Sequence, residues 1–421
     1  MGSDRPIRRL ARAGALLAAL AAAFAAGRLG APRSVPPGAP ATPESEDTAR
    51  IELHNCISGS WGRLCFDDSV IEIPEALVPR RWPPPAPTVW HLPVGTAAEA
   101  ASFLERAGLP RQAAERLASR AEPGPDGLLA VAPDDDLVIG LSPETRLSLY
   151  GALARVAANT EIAWPMRLGK RAPVGWLDGA DLRPETVDLV RRLIYRVAGV
   201  ELLADLELVR RRLGDAEESN RLYRALSREA TLIAYLVVRP GDDVRRIAAY
   251  WGAPDRDEAL STLLDATLHG GAPRPLPVGM LLPRFARDRL HRYWRPTDPP
   301  SPHCHYTALN FFSEVPDARF MDLGEVAAEI ERSYDPVPAG APQLLGDLVV
   351  LRRPEGIIHS CNVLAGDLVF TKNGAALGQP WHLAFLSDLV AYYSYPDPVE
   401  VTVLRRRDRA ALAAAAAAPG P

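Results

Sequence analysis

Apolar and polar positions along this chain switch between two periods, and the switches divide it. Residues 48–95 read as a few short strands ending in a proline-rich stretch, RRWPPPAPTVWHLP. Over 96–121 apolar residues recur at helical spacing. Phe103, Leu104 and Ala107 precede a Gly-Leu-Pro break, and Ala113, Ala114 and Leu117 follow it. GLLAVAPDDDLVIGL (127–141) reads as a β-hairpin turned by Asp134, Asp135 and Asp136, a solvated turn rather than a metal cluster. From Ser142 to about Arg292 the pattern predicts helix. Ser142-Pro143 supplies an N-cap and a first-turn proline. Val187, Val190, Ile194 and Val197 keep helical spacing across Leu182–Leu213. Thr231–Val238 and Val244–Trp251 continue it, with Gly252 as a cap.

After Leu290 the period changes. Pro296, Pro299, Pro300 and Pro302 make an extended approach to a helix that starts at Ser301-Pro302 and runs through HCHYTALNFF. A second helix is predicted near Leu323 to Tyr334. Strand patterns follow at Leu345–Leu351, Gly356–Ala365, Leu368–Lys372 and Val399–Leu404, with a helix near His382 to Tyr393. Helix first and antiparallel strands afterwards predict an α+β domain with a helix packed on the sheet, preceded by a largely helical domain. The expected divisions are 48–141 (small, mixed α/β), 142–292 (helical) and 293–407 (α+β).

The two ends carry no chemistry. Residues 1–26 read as a signal peptide or N-terminal anchor. Arg5, Arg8, Arg9 and Arg12 precede a small-to-apolar run, Ala13–Ala26, in which Ala23, Ala25 and Ala26 supply a cleavage pattern. The run is shorter than the roughly 20 residues of a spanning helix. Residues 27–47 read as a Pro/Ala-rich linker and 408–421 as an Ala-rich tail. The expected location is exported, in the periplasm or cell envelope. Membrane contact is expected only through an uncleaved N-terminal segment.

Composition narrows the function. Lys and Arg number 48 against 52 acidic residues, a net charge of −4, so no basic excess offsets phosphate and a nucleic-acid partner is not expected. The 47% hydrophobic content excludes wholesale disorder. The helical middle has no Gly-rich phosphate loop, no H-E-x-x-H and no G-x-S-x-G. Of four cysteines, Cys56 and Cys65 flank a Gly-containing loop. They read either as a disulfide across a hairpin or as two buried small hydrophobes.

Cys304 carries the chemistry. Ser301 as N-cap and Pro302 as first helical residue place it in the first turn, where free N–H groups favour a thiolate. Ala308, Phe311 and Phe312 form the stripe that buries this helix. His359, inside the apolar strand IIHSC, is the candidate base. The third group comes from across the Gly366-Asp367 turn. Asn373 is preferred because an amide oxygen accepts a ring N–H; Thr371 shares its face, and a one-residue slip substitutes Lys372. His305 and Lys372 are candidates for substrate binding. No cofactor or metal is required.

From Leu282 to Leu404 these residues resemble the NlpC/P60 family of papain-like cysteine peptidases. The shared order is a cysteine opening a helix, Gly346-Asp347-Leu348 entering a strand, a histidine-led strand, a Gly366-Asp367 turn and a polar third position. The resemblance implies an envelope hydrolase that cleaves peptidoglycan stem-peptide amides, or another amide substrate, with Cys304 as nucleophile and His359 as base. Three alternatives stay open. His303, Cys304, His305, His359 and Cys361 include enough zinc ligand types for a metal site, although H-C-H is a poor chelate. Cys304 and Cys361 are candidates for a disulfide. A non-catalytic papain-like binding module is the third, suited by His303 and His305 where the family has Asp or Asn and Ser.

Overall fold

A computed structural model describes residues 55–168, 176–177, 179–252, 257–268, 275–295 and 301–409. The signal segment 1–26, the linker 27–47 and all but two residues of the tail lie outside the described residues. The chain separates into two compact units, 1–52 and 53–421, and every described residue belongs to the second. That unit is mixed α+β, with helices and four antiparallel sheets. None of its described helices is long and apolar enough to cross a membrane.

The helical pair is Ala97–Arg106 and Arg111–Ala118. Thr96 and Glu99 close a capping box at the first N-terminus. Strands Asn55–Gly59 and Gly62–Ile71 form a hairpin in which Cys56 lies directly opposite Cys65, and a disulfide joins them.

Several elements differ from expectation. Asp134 does not turn a hairpin. It precedes the helix Asp135–Ile139, and Asp135 and Asp136 pair with Arg211 and Arg212. Two first-turn carboxylates at a helix N-terminus suit the dipole. Residues 142–292 are not all helical. Helices Pro184–Leu193 and Leu206–Leu213 are separated by a hairpin, Tyr195–Val197 and Val200–Leu203. Ala198 and Gly199 both take positive φ there, the geometry of a two-residue hairpin turn. Glu229–Val237 is a strand, not a helix. It lies between Gly62–Ile71 and Leu276–Pro277, and Leu232, Ala234 and Leu236 alternate into the core. Its apolar run is short enough to fit either period, and tertiary pairing decided for the strand. Strand Gly62–Ile71, from the region expected to stand apart, pairs along its length with Glu229–Val237, so the first two expected divisions share one sheet.

The C-terminal sheet has six strands in the order Tyr334–Pro336, Glu400–Arg406, Leu348–Arg353, Gly356–Ala365, Leu368–Lys372 and Trp381–Phe385. The helix expected at His382 begins only at Leu386, because Trp381–Phe385 pairs with Leu368–Lys372. Gly346 explains the Gly-Asp entry. It holds φ 82°, and a Cβ there would meet the Phe312 ring at 2.1 Å. The Asp347 carboxylate then accepts Leu344 N–H at 2.8 Å and takes Arg405 in a two-pronged pair at 2.9 and 2.7 Å.

Strand alternation gives this sheet two packed faces. Tyr306, Ala308 and Leu309 of the helix Cys304–Leu309 pack on Leu348 and Val350, and Phe311 on Phe370. Leu389 and Tyr393 of the helix Leu386–Tyr393 pack on Val349, Leu351, Cys361, Val363 and Val369, on the opposite face.

Candidate active site around Cys304

The Cys304 helix starts later than its sequence suggests. His303, not Ser301, is the N-cap, with its Nδ1 accepting Tyr306 N–H at 3.1 Å. Its Nε2 lies 3.2 Å from the Met321 carbonyl. With both ring nitrogens engaged, the imidazole fixes the start of the helix and Cys304 becomes its first residue. Cys304 is 4% exposed. Burial pushes its pKa up, while the backbone N–H groups of Ser360 and His305 and the Lys372 ammonium act in the other direction. The Ser360 amide is open to it because the ladder between Gly356–Ala365 and Leu368–Lys372 ends at Asn362–Phe370, leaving the strands splayed beyond.

The same alternation divides the polar residues. Ser360 faces the Cys304 helix, where its Oγ lies 2.9 Å from His305 Nδ1. His359 faces the other way and stacks on Tyr393 with ring centroids 4.3 Å apart. The imidazole is fully buried, and burial holds its pKa well below the ordinary range. Its Nε2 lies 3.0 Å from Thr371 Oγ1, and its Nδ1 has no hydrogen-bond partner. Cys304 and His359 are therefore not hydrogen-bonded, although the Cys304 thiolate acts electrostatically on Tyr393, the ring stacked on His359.

Thr371, not Asn373, holds the imidazole. Continuing the ladder would put Asn373 opposite His359, but the strand ends at Lys372 and Asn373 turns away. Its Nδ2 donates to Glu229 Oε1 at 3.3 Å, and its Oδ1 accepts the Tyr393 hydroxyl at 3.4 Å. Asn373 thus touches the ring stacked on His359 rather than His359 itself. His305 is 7% exposed, and burial drives it to about 4.

Lys372 is buried at 0% exposure, a poor position for gripping a substrate from solvent. Burial lowers it to about 8. On the neighbouring strand His382 lies beside Glu229, Nε2 to Oε1 3.4 Å. Burial drives His382 to about 4 and Glu229 up to about 8. Sequence reasoning missed Glu229, His382 and Tyr393 as part of this cluster. Glu229 reaches it only through a strand that reads as helix, and no local signal marks it.

The other arrangements are not formed. Cys304 and Cys361 are free buried thiols. No three His, Cys, Asp or Glu side chains among the described residues gather as a metal-holding group, because alternation sends His359 and Cys361 away from His303 and His305. Comparison with protein-family models, curated proteins and solved structures finds no match to this chain.

Proposed function

We propose that the C-terminal α+β region is a papain-like acyl-transfer domain in which Cys304 is the nucleophile and His359 the proton acceptor. Within that class, the reading that joins the chain's export signal to its Cys, Gly-Asp and His order is an NlpC/P60-like hydrolase of peptidoglycan stem-peptide amides. One observation carries the proposal. An imidazole is sealed in the core on the strand next to the Cys304 helix, held through Nε2 by Thr371, with Nδ1 left open. A buried nitrogen without a partner costs about 1–3 kcal/mol, so its retention calls for a role. Proton acceptance from a thiol is such a role, with Thr371 in place of the third residue of a triad. In this structure Ser360 faces the Cys304 helix and His359 the other side of the strand, so the reading requires a Cys–His contact that forms only when substrate binds.

The test is acylation by an activated ester and cleavage of purified muropeptides, read by intact mass. A covalent adduct on Cys304 is expected, absent in Cys304→Ala and formed about 10²–10⁴-fold more slowly in His359→Ala. Equal rates in His359→Ala and the parent chain would remove His359 from the mechanism.

A second reading, a non-catalytic binding module, is favoured by the near-complete burial of both groups, which holds thiol and imidazole neutral. Muropeptide binding without any adduct on Cys304 would select it.

A further inference from the structure

Lys372 is a fully buried ammonium, and no carboxylate among the described residues forms an ion pair with it. Two of its three donors go to the carbonyls of Gly374 and Ala376, each at 3.0 Å. Its Nζ lies 6.0 Å from the centre of the Trp381 ring. These neighbours orient the charge without neutralising it. A buried cation without a counter-charge is costly and is kept where an anion forms.

Its place in the sheet indicates which anion. Lys372 pairs in register with Trp381, and the Trp381 indole N–H donates to Thr307 Oγ1 on the Cys304 helix at 3.0 Å. Lys372 therefore lies on the helix face, whereas His359 and Thr371 lie on the other. The groups that act on it from the surrounding elements are Cys304 and His303 at the helix start, Glu229 from the four-stranded sheet and His382 from the adjoining strand. Both histidines are held neutral by burial. The Glu229 carboxylate is engaged elsewhere, its Oε1 3.4 Å from His382 Nε2 and accepting Asn373 Nδ2 at 3.3 Å. Cys304 remains.

We propose that Lys372 is a positioning cation for Cys304, stabilising the thiolate through the field of its oriented ammonium. Lys372 keeps its proton throughout. The thiol proton passes to Nδ1 of His359 when the Cys–His contact forms on substrate binding; the electron pair left on sulfur bonds the acyl carbon, the bond from that carbon to the substrate's amine breaks, and the leaving amine takes the proton. The inference rests on Cys304 being a nucleophile. It changes the division of labour: the charge that favours the thiolate comes from lysine, and histidine handles the proton.

The experiment is the pH dependence of Cys304 alkylation by iodoacetamide, followed on the Cys304 peptide by mass spectrometry, in the parent chain and in Lys372→Met. Circular dichroism establishes that the variant is folded. The midpoint is expected to rise by about 1 to 3 pH units in Lys372→Met, the range for loss of a close opposite charge. A folded Lys372→Met with an unchanged midpoint overturns the proposal. If Lys372→Met does not fold, the reciprocal measurement replaces it. The Lys372 side-chain NMR titration is compared between the parent chain and Cys304→Ala. Its midpoint is expected to fall when the thiol is removed, and no change overturns the proposal. Acylation is read in parallel. A midpoint that moves in a parent chain that forms no acyl adduct supports the Lys372–Cys304 coupling and sinks the hydrolase reading alone.

Discussion

Asp205→Ala is expected to destabilise the protein by about 3–5 kcal/mol, the range for leaving a buried charge without its partner. Arg146 is completely buried. Its Nη1 donates to Asp205 Oδ2 at 2.7 Å, its Nη2 to the Val138 carbonyl at 2.7 Å, and the Tyr150 hydroxyl donates to Asp205 Oδ1 at 2.6 Å. One carboxylate thus answers a guanidinium and a phenol on the helix Pro143–Leu153, while the same guanidinium ties down the helix Asp135–Ile139. Removing it strands both donors in a buried site. Arg146→Met is expected to cost a similar amount at neutral pH, because it leaves the buried Asp205 carboxylate with only the Tyr150 hydroxyl as partner. Urea unfolding at neutral pH measures both, with the slope checking that the denatured state is unchanged. A loss below about 1 kcal/mol in Asp205→Ala would mean that the site takes up water and that the pair is worth no more than a surface one.

Neither partner of this pair stands out in the sequence, and the reason applies widely in the molecule. The periodic readings succeeded where one element decides its own conformation. The helical pair within 96–121, the run Gly356–Ala365 and the Gly346-Asp347 entry are local, and each took its expected form. They failed where a distant strand decided. Glu229–Val237 is a strand because Gly62–Ile71 pairs with it, and Trp381–Phe385 because Leu368–Lys372 does. The Cys304 region follows the same rule. That Cys304 opens a helix and His359 lies on a strand was legible. Which way His359 faces was not, because it depends on the register and on the bulge that leaves Ile358 unpaired opposite Leu351 and Arg352. Thr371 was weighed as the third group and set behind Asn373 on chemistry. Geometry reversed the order, since the ladder ends before Asn373 can reach the ring.

Acid is expected to unfold this protein steeply below about pH 6.5. His305, His359 and His382 are 7% exposed or less, and burial is the first cause of each lowered pKa. The folded chain holds these imidazoles neutral, while the unfolded chain protonates them near 6.5. A base with a depressed folded pKa contributes stability that is present above its unfolded pKa. That stability is lost as pH falls toward the folded value, about 4 for His305 and His382, with His359 also held well below its ordinary range. Each contributes a slope of up to about 1.4 kcal/mol per pH unit. Three together over two units would remove up to roughly 8 kcal/mol, comparable with the whole stability of an ordinary domain. Glu229 runs the other way. Its folded pKa near 8 lies above the unfolded value, so its contribution is complete in acid and fades as pH rises toward 8. The melting temperature should therefore peak between these arms. His359→Phe keeps a ring against Tyr393 and removes one titrating group, so its acid arm should be shallower. Glu229→Gln should flatten the alkaline arm and steepen the acid arm, because between its unfolded and folded pKa values Glu229 offsets about one histidine. Melting curves from pH 8 to pH 4.5 for the three chains decide the matter. A parent chain whose stability is level between pH 6.5 and 4.5 would show that these imidazoles are protonated in the fold, and with it that the site is hydrated.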